Sequence, residues 1–452
     1  MPARTNRRDF LRRGAGALAG IAGLARSTAF PSFVIGRHAG IARGWPANDK
    51  LRLAIVGVAN RGADNLNGVA PITSVETVAL CDVDSSYLAA AAARFPQAKQ
   101  FRDFRKMIEE MAGAHALDGV VVSTPDHLHA PASAMALRAG LHVYCEKPLA
   151  HSIHETRTVV ELARERKLAT QMGTQIHANP NYRRVVELVQ SGAIGTVTEV
   201  HVWVGGGYGG GDRPTETPPV PATLDWDLWL GPAPERPYSE KYVPFHWRGW
   251  WDFGNGTLGD MACHHMDLPF WALDLSHPTS IEAEGPPLHH ESCPPWLIVK
   301  YSMQRHAGAA ALAEASVPLT WYHGDKRPHH FADGLLPTWG NGTLFVGAKG
   351  LLLADYDRYA LLPEKEFAGF VPPAPSIPDS PGHYQEWIAA VKGGVPALCR
   401  FDYAGPLTEA VLLGAVAYKS GKKLGWDPAK GTTGDAGADA FMKREYRKGW
   451  TL

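Results

Sequence analysis

Glu146-Lys147-Pro148 follows directly on the apolar run Leu141-His142-Val143-Tyr144-Cys145. Such a run reads as a buried parallel strand, and ligands bind at the carboxyl edge of such strands in open α/β sheets. Lys147 is therefore a cation set at a ligand edge. A second group lies in Gly256-Thr257-Leu258-Gly259-Asp260-Met261-Ala262-Cys263-His264-His265-Met266-Asp267. Asp260 and His264 stand at i and i+4, and Asp267 follows at the next i+3, a spacing that puts all three on one helix face. An imidazole beside a carboxylate accepts protons near neutral pH. His264 and Asp267 are also of metal-ligating type, but no third ligand stands at matching spacing and no metal is expected.

A third group precedes both. Leu51-Arg52-Leu53-Ala54-Ile55-Val56 reads as a strand, and Gly57-Val58-Ala59-Asn60-Arg61-Gly62 follows with the spacing Gly-x-Gly-x-x-Gly, alanine standing second. Gly57 permits a tight turn, a small residue at 59 lets a pyrophosphate approach the backbone, and Gly62 lets helix pack on strand. The helix start then offers free N–H groups to phosphate. The next apolar run, Val75 to Cys81, ends at Asp82, where a carboxylate can hold a ribose diol. Asp82 would repel a 2′-phosphate, which favours NAD and leaves NADP as the second choice; Asp84 competes for the same role. Lysine, fingerprint and Asp/His pair together point to a nicotinamide-dependent enzyme.

The elements that position these groups alternate. Helices are expected from Tyr87 to Arg94 and from Phe101 to Met111, then a strand over Gly119 to Ser123. The loop Thr124-Pro125-Asp126-His127-Leu128-His129 leads into a helix through Ala139. Strands separated by helices at this interval imply a doubly wound parallel sheet. His127 and His129 suggest metal at first sight, but a polar loop leading into a helix explains them equally well.

The chain has 452 residues, enough for two cores, and Lys+Arg 45 balance Asp+Glu 45. No net field draws it to nucleic acid or an anionic membrane, so a small neutral partner is expected. Five scattered cysteines form no Cys-x-x-Cys, and Cys81 and Cys145 read as small buried hydrophobes. Asn6-Arg7-Arg8-Asp9-Phe10-Leu11-Arg12, followed by a Gly/Ala stretch too short to span a bilayer, resembles a twin-arginine export leader. The expected organisation is a leader over 1–29, an arm over 30–49, a nucleotide domain over 50–170 and a substrate and oligomerisation domain over 171–452.

The ordered set Gly57-x-Ala59-x-x-Gly62, Asp82, Thr124-Pro125 with His129, and Glu146-Lys147-Pro148 resembles the glucose-fructose oxidoreductase, inositol dehydrogenase and rhizopine-catabolism family (Gfo/Idh/MocA). The Asp260 segment is similar to that family's Asp-x-Gly-x-His-x-x-Asp stretch, with Ala262 replacing a glycine. The resemblance implies an α/β chain: an N-terminal Rossmann sheet, doubly wound and parallel, then a C-terminal α+β domain on a large, mostly antiparallel sheet. It also implies that Gly57, Ala59, Asn60, Arg61, Gly62, Asp82, Thr124, Pro125, His129, Glu146 and Lys147 surround the cofactor, that Pro148 follows a cis bond, and that the chain forms a homo-oligomer. Lys147, Asp260 and His264 are then catalytic: His264 accepts the proton of a sugar or polyol hydroxyl, Asp260 orients it, and Lys147 stabilises the alkoxide as hydride leaves for NAD.

Export implies a periplasmic enzyme whose NAD is tightly held and reoxidised in place, with the twin-arginine machinery as a partner. One alternative keeps the site, a redox-neutral NAD-dependent glycosidase working through a transient ketone; another is a non-catalytic sugar-binding or sensing protein with a vestigial nucleotide site. The aromatics between Trp226 and Trp251 suit a sugar ring or plain packing. His177 and Arg183 either reach substrate or lie on the surface, and Gly205 to Pro221 is a long loop suited to a lid. Two helical patterns are expected around a Phe401-Asp402-Tyr403 turn, and the tail from Arg444 to Trp450 is expected to dock.

Overall fold

The computed structural model describes residues 49–306 and 316–452. The leader and nearly all of the arm lie outside the described residues. The nucleotide half alternates β1 (Leu51–Val56), α1 (Arg61–Val69), β2 (Val75–Cys81), α2 (Ser85–Arg94), β3 (Lys99–Phe101), α3 (Phe104–Gly113), β4 (Gly119–Val122), α4 (Asp126–Arg138), β5 (His142–Cys145), α5 (Ile153–Arg166) and β6 (Thr170–Met172). All strand neighbours run parallel in the order β3-β2-β1-β4-β5-β6. The order reverses between β1 and β4, which opens a crevice at their carboxyl ends. β4, Gly-Val-Val-Val, is buried along its whole length, as a central parallel strand covered on both faces requires.

Local chemistry starts the helices. Asp84 and Asp103 each accept a first-turn N–H of α2 and α3, and Ser152 with Glu155 forms a capping box on α5. Two expectations are corrected here. Phe101 does not begin a helix; it pairs with Cys81 as the end of β3, and α3 starts only after the Asp103 cap. Asp126 to His129 are not a loop but the first turn of α4, all buried.

The second half comprises α6 (Pro180–Gln190), β7 (Val197–Gly205), α7 (Trp226–Leu230), α8 (Gly256–His265), α9 (Asp267–Ala272), β8 (Leu275–Glu284), β9 (Leu297–Arg305), β10 (Ser316–Gly324), β11 (Asn341–Gly347), β12 (Gly350–Ala354), β13 (Tyr359–Leu362), α10 (His383–Val391), α11 (Phe401–Ser420) and β14 (Leu424–Gly425). Its sheet has eight strands in the order β13-β12-β11-β7-β10-β9-β8-β14, antiparallel except for β10 beside β7. The α/β class with a parallel sheet followed by a mostly antiparallel one is thus what the sequence led to. Phe401 to Tyr403 are not a turn between two helices: they open α11, whose 20 residues end at Gly421 in the left-handed region, φ 64°.

One apolar core runs through both halves, joining Val143 and Leu149 to Val299, Trp321 and Leu413. α10 returns to the first sheet, where buried Trp387 packs with Leu51, Leu53 and Val121. No described helix is long and apolar enough to cross a membrane. All five cysteines are buried and free. The tail docks: Arg444 and Tyr446 both bond Glu155, and the Trp450 ring meets Phe104 and Arg105.

Candidate active site

The crevice between β1 and β4 is built for close backbone approach. Gly57 has φ 81°, and a Cβ there would stand 2.7 Å from the Ser123 carbonyl oxygen. At Gly62 a Cβ would stand 2.0 Å from the Gly57 carbonyl oxygen, so no larger residue fits. Ala59 lies in the turn between them, and Asn60 holds φ 50° and caps α1 with no side-chain bond, leaving N–H groups of its first turn to a ligand. Arg61 opens the helix and lies 3.5 Å from Asp64.

Asp82 stands at the end of β2 with Oδ2 accepting the Val58 N–H and Oδ1 the Asp84 N–H, both at 2.9 Å. Burial raises its pKa against these two bonds. Asp84 is engaged elsewhere, its carboxylate capping α2 through Ser86, so Asp82 is the carboxylate left facing the glycine turn. Thr124 carries a buried hydroxyl with no partner among the described residues, and Pro125 precedes α4 as its cap. These features suit a dinucleotide: a turn with no room for Cβ atoms, an unfilled helix start and a fixed carboxylate at the next strand end.

His129 and Glu146 brace this cradle. The His129 ring lies 2.7 Å from the Pro148 carbonyl oxygen through Nδ1 and 2.8 Å from that of Thr124 through Nε2, tying the two ligand loops together. Burial holds its pKa down at about 4. Glu146 is 4% exposed, and its Oε1 accepts Asn65 Nδ2 at 2.9 Å and Gln175 Nε2 at 2.7 Å. Tyr384, on α10, completes the clamp by donating to Asn65 Oδ1 at 2.8 Å. Burial raises the Glu146 pKa.

Lys147, next to a cis bond to Pro148, crosses to α8. Its ammonium donates to the Asp260 carbonyl oxygen at 2.6 Å and to Asp260 Oδ1 at 2.5 Å. Arg248 approaches the same Oδ1 at 3.3 Å, its guanidinium 4.3 Å from the ring centres of both Phe245 and Trp247. Burial favours the neutral Asp260, but Lys147 and Arg248 prevail and hold its carboxyl well below the usual range. A second carboxyl, Asp126, is 3% exposed and takes the Asn255 backbone N–H. Burial and then the Asp260 charge push it up to about 8. Two neighbouring carboxyls pushed apart in this way are a mark of acid–base sites.

His264, one turn after Asp260, is half-buried, and its Nδ1 is buried without a partner among the described residues. Its backbone oxygen accepts the Tyr182 hydroxyl at 3.0 Å. Burial, then Lys147, drive its pKa well below the ordinary value, so the ring is neutral. Asp267 does not share this face. α8 stops at His265, and Asp267 opens α9 and points to His177 Nδ1 at 2.9 Å and the Tyr403 hydroxyl at 2.7 Å.

His177 is not a surface residue. It is 2% exposed and stacks on Trp271 at 4.0 Å. Arg183 is buried too, bonded to the His177 and Pro378 carbonyl oxygens and to Glu386. Of the aromatics, Trp226, Trp229, Tyr242, Trp250 and Phe253 pack on one another as a separate cluster, so the packing reading holds for them. Asn65, Asp126, Tyr208 and Arg248 also join the site, although the sequence pattern gives them no role. The basic residue inside His246-Trp247-Arg248 was a signal for the last; Tyr208, whose hydroxyl faces Asp260 and is pushed up to about 12 by burial and that charge, sits in a glycine-rich stretch that gave none.

Residues 51–174 match the family profile described as "Oxidoreductase family, NAD-binding Rossmann fold", and residues 178–312 match "Oxidoreductase family, C-terminal alpha/beta domain". An inositol 2-dehydrogenase of Corynebacterium glutamicum is 35% identical over 149 residues, 32% of this chain and 42% of that protein. A glycosyl hydrolase family 109 protein of Shewanella pealeana is 27% identical over 159 residues, 33% of this chain and 34% of its own length. The aligned stretch is therefore less than half of either relative. Among solved structures, the WlbA dehydrogenase of Bordetella pertussis, in complex with NADH and UDP-GlcNAcA, has the same fold at TM-score 0.58 and 17% identity, covering 84% of this chain and 99% of that one.

Proposed function

Because the chain belongs to the Gfo/Idh/MocA oxidoreductase family through both of its domains, we propose that it oxidises a CH–OH group of a sugar, polyol or glycoside with NAD. The observation that carries this reading is the meeting of Lys147, Asp260 and an unpartnered, neutral His264 beside a cradle fit for a dinucleotide. Gly57 to Gly62 and the start of α1 would hold the pyrophosphate, and Asp82 the ribose diol, which disfavours a 2′-phosphate. Held there, a nicotinamide would supply the hydride-accepting chemistry at the carbinol carbon. Lys147 moves one N–H from Asp260 to the substrate oxygen, where its charge stabilises the forming alkoxide. His264 takes the hydroxyl proton, and Asp260, fixed as a carboxylate by Arg248, orients the lysine.

The twin-arginine resemblance extends this proposal to an exported, periplasmic enzyme carrying tightly bound NAD, whose turnover ends by reducing a second substrate, and to a homo-oligomer. Native mass spectrometry of purified protein tests this part: retained nucleotide and a defined oligomer are expected, and nucleotide-free monomer would remove it. The redox reading is tested by following nicotinamide absorbance with a polyol and sugar panel. The second reading, a redox-neutral glycosidase, draws support from the Shewanella relative. Release of aglycone from an aryl glycoside, with no net change in nicotinamide, would select it.

A further inference from the structure

Tyr356 brings a phenol to the site from the antiparallel sheet. It sits in the turn joining β12 to β13, which is rigidly built. Asp355 Oδ1 accepts the Asp357 and Arg358 N–H groups at 3.0 Å each, and Asn181 Nδ2 bonds the carbonyl oxygens of Asp355 and Arg358 at 2.9 and 3.1 Å. The Tyr356 ring stacks on His265 at 4.5 Å with an 18° interplanar angle. It meets Tyr182 edge-on at 6.2 Å and His264 edge-on at 6.3 Å. The ring is thus fixed on three sides, beside the proposed proton acceptor.

Its hydroxyl is buried and has no hydrogen-bond partner among the described residues, and the same holds for His264 Nδ1. A buried polar group left unpaired destabilises a fold by about 1–3 kcal/mol, a cost that a hydrogen bond from a ligand would remove. Burial and the charges of Asp260 and Asp267 hold the phenol protonated, which makes it a donor. Packing alone would be served as well by phenylalanine, without the unpaired oxygen.

We propose that the Tyr356 hydroxyl binds a second hydroxyl of the substrate, next to the one deprotonated by His264, so that a vicinal diol is selected over a simple alcohol. This rests on the oxidoreductase reading of the site. The ring centres of His264 and Tyr356 lie 6.3 Å apart, a separation that hydroxyls on adjacent carbons of a cyclitol or pyranose can bridge.

The test uses the full-length, NAD-loaded protein and its Tyr356→Phe variant with myo-inositol, D-glucose and the monodeoxy-D-glucose series. Cofactor reduction and sugar binding by calorimetry are both read. The wild type is expected to turn over one deoxy sugar about tenfold to a hundredfold less efficiently than its parent. Tyr356→Phe should lose a similar factor in kcat/KM and in affinity on the parent, change little on that deoxy sugar, and melt no lower than wild type. Equal parent and deoxy rates in wild type, or a variant unchanged on the parent or impaired equally on every sugar, overturns the subsite. Failure of every polyol to reduce the cofactor overturns the proposed function itself and the subsite with it.

Discussion

His177 and His264 each lie close to an aspartate from the same short stretch of chain, Asp267 and Asp260. In the first pair, imidazole and carboxylate bond each other directly, Tyr403 takes a further carboxylate lone pair, and Trp271 covers the ring. In the second, the carboxylate is drawn to Lys147 and Arg248, and the imidazole is left with a buried nitrogen unbonded. The residue types are the same, but only in the first pair does the imidazole bond its carboxylate, while the second leaves His264 Nδ1 without a partner among the described residues. Chemistry therefore follows from how each carboxylate is engaged, and a mutually bonded pair holds the structure together.

The comparison is tested first by Lys147→Ala, which should reduce turnover about a thousandfold with NAD still bound, and should lower the melting temperature because buried Asp260 loses its ion-pair partner. A variant that keeps its rate would end the open-site reading. His264→Ala should lose about a hundredfold in kcat/KM. Because its pKa is depressed in the fold, the ring stays neutral as pH falls through 6.5, so the wild-type rate should show no acid limb at that pH; a limb centred there would contradict the neutral ring. The closed pair predicts the reverse pattern: Asp267→Asn should lower stability by about 2 kcal/mol and leave kcat/KM within about threefold, as read by denaturant unfolding beside the assay.

The smallest effect concerns Asp126. Its folded pKa is raised from 3.8 to about 8, so the unfolded chain releases a proton that the fold retains, and stability falls as pH rises between those values. Asp126→Asn should flatten that slope; an unchanged slope would show that Asp126 is ionised in the fold.

What was legible in the sequence was what short-range spacing encodes. Gly57, Gly62, Asp82 and Lys147 lie where strand-to-helix turns put them, because a turn is decided by a few neighbouring residues. The i,i+4 relation of Asp260 and His264 likewise lies within α8. Asp267 escaped because the break at Met266 separates α8 from α9, and helical spacing carries no warning of it. His177 looked like a surface residue at a domain entry, since its partners Asp267 and Tyr403 come from far along the chain. Phe101 was absorbed into a helix because a strand of three residues leaves almost no periodic signal.

Tyr384 reaches back across 319 positions to the Asn65 that holds Glu146, and Trp387 seals the first sheet from the same helix. The nucleotide half is encoded early but cannot finish folding until α10 has left the ribosome. Assembly of the dinucleotide seat is thus postponed to nearly the end of synthesis, and a fragment stopping at β6 should emerge with an unsealed sheet and little grip on its cofactor.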